Sequence, residues 1–377
     1  GETLPVMIAD TMVTVKGTTG PESLLLPAKF NANDNALPPS QFVLRKLNIV
    51  GNSAVAMAGD GWAVEYLARG LPDYFAAQKN HMLPLEPLHS AAGDLRSRYG
   101  PSTVWVTGIT MQPAPLPEAV GPARTYHALG EGPHIQTRLL GRCSAIGSGA
   151  EDLLRACVDF DEGVTWAGDP QSRAKLLVAQ INADRLGHEL TGSFEKSWGG
   201  YVEMAYFDPT ADQWLRGPST ANLFLKAIFE AENNFRLGLV PYLIAYDPGK
   251  TCGRIISVSR QGDGDLQLVD FIIGDVVAEG DPGKPPAEYW PGFTPAIVGV
   301  TVINSAAADG SLLAKTILNP NPADVDLSFT AAGGAIGMRL RLSVKIIDEL
   351  GAIAGPPGWT YLGPVIQKSA DRTKVEA

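Results

Sequence analysis

The sequence predicts an α+β protein with helices packed on antiparallel sheets, and three observations carry that expectation. Over residues 1–217 candidate elements come in runs (strands, two helices, strands, two helices, strands) and not in strict β-α alternation. After Gly217-Pro218-Ser219-Thr220 the text turns to strands and turns, so 218–377 reads as a mainly β accessory domain. With 377 residues, two domains or one large one with insertions, and 45% hydrophobic against 19% charged residues, the chain can build a real core and is not disordered overall.

The elements follow in order. Val6-Met7-Ile8-Ala9 is an apolar run that reads as a buried strand with no cap or leader before it. This abrupt start suggests that a short preceding segment belongs to the fold. Residues 15–40 are loop-like, rich in Gly and Pro. Strand signals return at 42–44 and 54–58. Asp60 reads as an N-cap for a helix carrying Trp62, Val64, Leu67 and Leu71 at helical spacing and ending near Lys79. A second helix fits Leu88–Tyr99, stopped by Gly100-Pro101. Strands are expected at 103–110, 124–129 and 135–140, the last two joined by Gly130-Glu131-Gly132-Pro133. Helices are expected from Ala150 to about Phe160 and from Gln171 to Leu190. Strands at 201–207 and 213–216 enclose the turn Asp208-Pro209. In the second half a helix is expected over Ala221–Phe235, then strands at 242–246, 254–258, 266–273, 296–303 and 338–347.

Several function classes fall away. A net charge of −10 disfavours nucleic acid, whose phosphates need a basic face, and anionic lipid for the same reason. No apolar run approaches the roughly 18 residues of a membrane helix. The first residues, Gly1-Glu2-Thr3-Leu4-Pro5, lack the basic-then-apolar pattern of a secretory leader. Three cysteines without a CxxC pair argue against a disulfide framework and against a zinc ribbon, and five histidines form no HxxxH pair. No metal or cofactor is expected, and a reducing, cytoplasmic compartment is the simplest setting. There is no Gly-x-Ser-x-Gly elbow. Gly249-Lys250-Thr251 imitates the end of a phosphate loop, but Ile244 stands where its first glycine belongs. Gly147-Ser148-Gly149 lacks the third dinucleotide-binding glycine, since Asp152 is there. Asp263-Gly264-Asp265 lacks a calcium loop's closing glutamate, because Gly274 holds the twelfth position.

Four segments remain: Val6-Met7-Ile8-Ala9-Asp10-Thr11-Met12-Val13-Thr14; Arg45-Lys46-Leu47 leading to Ala56-Met57-Ala58-Gly59; Ala145-Ile146-Gly147-Ser148-Gly149; and Ser197-Trp198-Gly199-Gly200-Tyr201-Val202-Glu203-Met204-Ala205. In order and spacing they resemble the proteasome β-subunit and HslV family of N-terminal nucleophile (Ntn) hydrolases, over about residues 1–217. The resemblance implies a four-layer αββα sandwich of two antiparallel sheets between helix layers, and leaves 218–377 without a counterpart. It also implies a mature N-terminal Thr, sometimes Ser or Cys, whose free α-amine acts as general base. An α-amine with pKa of about 7.7–8.0 suits that task near neutrality.

Residue by residue, the resemblance makes Asp10 the strand-end aspartate that pairs with a lysine, and Lys46 that lysine, which keeps the amine neutral by charge repulsion. Gly59 matches the glycine whose backbone N–H helps form the oxyanion hole, a donor worth about 2.7–4 kcal/mol in the transition state. Ser148 matches the serine that supports the amine. Thr14 falls where backbone aligns an extended substrate. Glu195 stands where the family has aspartate, and Trp198 replaces the usual serine. Each has a plainer rival. Asp10 could be a turn residue, Lys46 a solvated strand residue, Gly59 a break before a helix, Ser148 an N-cap and Glu195 a surface charge.

Gly1 carries no nucleophilic side chain, and Thr3 lies in the wrong place. The expectation is therefore a nucleophile on a first strand upstream of Gly1, roughly ten residues away by typical strand and turn lengths. The leading reading is a threonine-type peptidase or amidohydrolase acting on peptide or protein, assembled as a homo-oligomer and in the family's manner a ring. The alternatives are a catalytically inactive assembly protein on the same scaffold and a binding module whose β domain carries the function.

Overall fold

In a computed structural model the described residues are 5–11, 13–14, 24–25, 45–78, 85–111, 123–128, 135–139, 146–147, 149–155, 169–191, 201–249, 252–258, 266–272, 292–304, 313–318, 323–332, 335–355 and 358–364. They form a mixed α+β structure with several sheets and few helices. Among the described residues no helix is long and apolar enough to cross a membrane.

Three strands make the first sheet. β1 (Val6–Asp10) runs antiparallel to β9 (Val202–Asp208), which also pairs β10 (Gln213–Arg216). Its register sets Asp10 against Val202 and Ala9 against Glu203. A second, five-stranded antiparallel sheet has the order β4 (Leu47–Val50), β5 (Ser53–Gly59), β6 (Val104–Met111), β7 (Ala123–Ala128) and β8 (Ile135–Leu139). Strands β2 (Val13–Thr14) and β3 (Leu24–Leu25) form a small separate pair.

Helices α1 (Gly61–Gln78) and α2 (Glu86–Tyr99) follow β5. Their apolar stripes, including Val64, Leu67, Leu88 and Leu95, pack on Val55, Met57, Val104 and Val106 of the five-stranded sheet. The alternate residues of β5, Ala54 and Ala56, join Leu47 and Ile109 against Met7, Ala9, Ala205 and Phe207 of the three-stranded sheet. On β9 the other alternation, Val202, Met204 and Tyr206, meets Val178 and Ile181 of α3 (Pro170–Thr191). Completely buried side chains such as Leu47 and Leu67 each contribute about 1.5–3 kcal/mol. Asn182 of α3 ties the layers by polar contacts too. Its amide donates to Val202 O at 3.0 Å, and its Oδ1 accepts from Val202 N at 2.7 Å.

The second half centres on a seven-stranded sheet. Its path is β14 (Leu266–Ile272), β13 (Cys252–Val258), β12 (Asn234–Asp247), β11 (Thr220–Glu230), β15 (Ile297–Asn304) and β16 (Leu313–Leu318), with β19 (Thr360–Pro364) beside β12. β17 (Val325–Ala332) and β18 (Ala335–Leu342) form a hairpin, followed by α4 (Val344–Ala354).

Two expectations are corrected here. Residues 221–235 are not a helix but β11, a turn and the start of β12. Ala221, Leu223, Leu225 and Ala227 share one core face, while Phe224 is buried on the other, so the segment is apolar on both sides. That pattern suits a central strand as well as a buried helix. The strand expected at 338–347 ends at Leu342, because Ser343 caps α4. Its Oγ accepts from Ile346 N at 3.4 Å and donates to Asp324 Oδ1 at 2.7 Å. The strand expected at 42–44 lies outside the described residues, as does the helix expected beyond residue 155.

Candidate functional site

Asp10 ends β1 and Lys46 immediately precedes β4, 36 positions apart in the chain. Their side chains meet: Lys46 Nζ donates to Asp10 Oδ1 at 2.8 Å, each side chain 14% exposed. Backbone holds both. Lys46 O accepts from Met57 N at 2.9 Å, continuing the β4–β5 ladder by one residue. Beyond Asp10, buried Thr11 extends the β1–β9 pairing with its hydroxyl, which donates to Tyr201 O at 3.1 Å and accepts from Tyr201 N at 2.9 Å.

Gly59 ends β5 two residues past Met57 and is exposed. Its φ is +130°, and a Cβ there would stand 2.3 Å from Thr103 O, so only glycine fits. The next residue, Asp60, donates its N–H to Thr103 O at 2.8 Å and accepts from Ala63 N and Val64 N, starting α1. Gly147 packs on the same strand end, since a Cβ on it would lie 3.0 Å from the Ala58 Cβ. Segments 10–11, 45–46, 58–59 and 147 therefore converge. Ser148 and Glu195 lie outside the described residues. Thr14 belongs to β2, where it pairs with Leu24 of β3.

A second polar cluster adjoins the first; Arg45 and Glu203 lie in the resembling segments, but the resemblance gives neither a role. Glu203, 1% exposed, lies on β9 between Val202 and Met204, which pack on α3. Its Oε1 accepts from Arg45 Nε at 3.3 Å, from Arg45 Nη2 at 3.2 Å and from the Tyr246 hydroxyl. Arg45 Nη2 also donates to Pro248 O at 3.0 Å. Burial, and then the Glu203 charge, push the Tyr246 hydroxyl well above the ordinary tyrosine value of 10. The other carboxylate oxygen, Oε2, has no hydrogen-bond partner among the described residues. A cavity of about 10 Å³, room for about one water, is lined by Glu203, Asn182, Thr220, Tyr246, Pro248 and Lys175. The sequence signal was a lone acid in a strand otherwise apolar on both faces, which must find a cation.

Chemically the two clusters differ. Lys46 and Asp10 form a partly exposed ammonium–carboxylate pair, and the Lys46 carbonyl is bonded to β5 two residues before the exposed Gly59. In the Glu203 cluster the carboxylate is 1% exposed and the Arg45 side chain 13%. Among the described residues no group of three His, Cys, Asp or Glu side chains could hold a metal ion. No protein-family model matches the chain, and no curated protein gives a match.

Proposed function

We propose that this protein is an amide or peptide-bond hydrolase of the proteasome-like Ntn class, built on an αββα sandwich. The observation that carries the reading is the Lys46–Asp10 contact at 2.8 Å, made between segments 36 positions apart. An ammonium held in place and still reachable is what such a mechanism needs. It keeps a neighbouring α-amine neutral so that the amine can accept the hydroxyl proton of a leading Thr or Ser, or the thiol proton of a leading Cys. The hydroxyl or thiol oxygen or sulfur adds to the substrate carbonyl. The amine's proton then passes to the leaving nitrogen, and water releases the acyl group. Gly59 offers backbone for the developing oxyanion at an exposed strand end.

The packing order of α1 and α2, the two sheets and α3 supports the sandwich reading. β1 supports a further strand. It pairs β9 on one side, and no described strand covers its other edge. A nucleophile-bearing strand would add there. The homo-oligomeric ring, the cytoplasmic setting, the peptide substrate aligned beside Thr14 and the roles of Ser148 and Glu195 rest on the family resemblance. So does an accessory role for 218–377.

Two measurements test the reading. N-terminal sequencing of the protein from its natural source should find a mature chain starting with Thr, Ser or Cys. Lys46→Ala should reduce peptide turnover by about a hundredfold or more while leaving the fold intact. A mature start without a nucleophile, or unchanged turnover in the variant, overturns it and favours a catalytically inactive assembly protein.

A further inference from the structure

We propose that Tyr246, in the seven-stranded sheet, is a positioning residue for the Lys46–Asp10 pair and reaches each member through one neighbour. The inference deepens the hydrolase reading and rests on it for its functional meaning. One arm runs through the hydroxyl. Tyr246 donates to Glu203 Oε1, the same oxygen that holds Arg45 Nε and Nη2, and Arg45 is bonded to Lys46. The other arm runs through the ring. Tyr246 stacks on Tyr201 with centroids 4.3 Å apart and planes 27° apart. Tyr201 is bonded on both its N–H and its carbonyl to the Thr11 hydroxyl, and Thr11 follows Asp10.

Tyr246 is well placed as an anchor. It lies on β12 between two strands, opposite Thr220 of β11 and Gly253 of β13, and is 2% exposed. The residues it steadies are of the opposite kind. Asp10 and Lys46 sit at strand termini, which fray when nothing ties them down. Pro248, two residues beyond Tyr246, accepts a further bond from Arg45. An ion pair keeps its geometry only if both backbones are fixed to a fraction of an ångström. The arms from Tyr246 supply that from behind, without touching the reacting space.

The test uses the full chain and reads Lys46 directly. An amine-reactive acylating reagent is applied and each lysine's labelling rate is mapped by mass spectrometry, with Lys226 and Lys345 as internal controls. In parallel, the ammonium cross-peak of Lys46 is followed in protein carrying ¹⁵Nζ-lysine, where a held, hydrogen-bonded ammonium gives a visible signal. Tyr246→Phe removes the hydroxyl arm and keeps the ring. It should raise Lys46 labelling by about fivefold and weaken its cross-peak, with the controls unchanged. Tyr246→Leu removes both arms and should do more. Arg45→Lys shortens the fork without altering β12 and should act like Tyr246→Phe, which keeps the test decisive if a β12 variant does not fold. Wild-type labelling of Lys46 in the folded variants overturns the positioning role. Because the readout needs no turnover, a labelling change in a chain that cleaves no peptide sinks the hydrolase reading alone.

Discussion

At the rim of the two sheets Lys46 meets Asp10 with 14% of each side chain exposed; one residue earlier in the chain, Arg45 meets Glu203 with 13% and 1% exposed. The rim pair meets through Lys46 Nζ and Asp10 Oδ1, and both partners are partly exposed. The inner carboxylate is withdrawn from water and loads three donors onto one oxygen. Desolvation makes the inner carboxylate costly to strip of its partners, whereas the rim pair, 14% exposed on each side, is the more accessible of the two. Neighbouring cations thus stand in two settings, Arg45 against a buried carboxylate and Lys46 at the rim.

The sharpest break in that contrast is Glu203→Ala. It leaves the Arg45 guanidinium without its carboxylate, keeping only the bond to Pro248 O, and the Tyr246 hydroxyl unpaired, and should cost about 3–5 kcal/mol in chemical denaturation. Lys46→Ala should cost about 1 kcal/mol or less in the same experiment. Equal costs would erase the distinction. Next comes Gly59→Ala at the rim, where a Cβ meets the Thr103 carbonyl and φ is +130°. It should cost about 3 kcal/mol. Gly51→Ala, with φ of +56° and open space around it, should cost about 1 kcal/mol. The smallest effect is alkaline. Tyr246 holds its proton more tightly folded than unfolded, so its contribution is fully present below about pH 10 and is lost as pH rises past that value. Denaturation midpoints at about pH 9 and about pH 11 should therefore fall more in the parent than in Tyr246→Phe. A parallel fall in both would remove Tyr246 from the seam's electrostatics.

Much of the first half was legible because its signals are local. Asp60 opens α1, Gly100 closes α2 with its N–H on Arg96 O, and β5, β6 and β9 are apolar runs of strand length. Where signals were ambiguous the reading failed. Thr220–Glu230 is apolar on both faces, and its turn holds Glu232 and Asn233 at positive φ without the glycine that usually marks such a hairpin. Val344, Ile346 and Ile347 favour a strand by propensity, yet the Ser343 cap and burial of Ile346 and Leu350 in the second core make a helix. The rim pair could be named from the motif resemblance, since each member sits in a recognisable segment. The inner cluster could not, because Arg45, Glu203 and Tyr246 lie 158 and 43 positions apart and meet only through tertiary packing.

Helix α3 bears on β9 and, elsewhere along its surface, on β15 and β16. Residues before and after position 217 therefore lean on one common rod. Cutting the chain at that position would strip cover from both sides of the rod at once, so the two halves share their stability and are expected to melt as a single cooperative body.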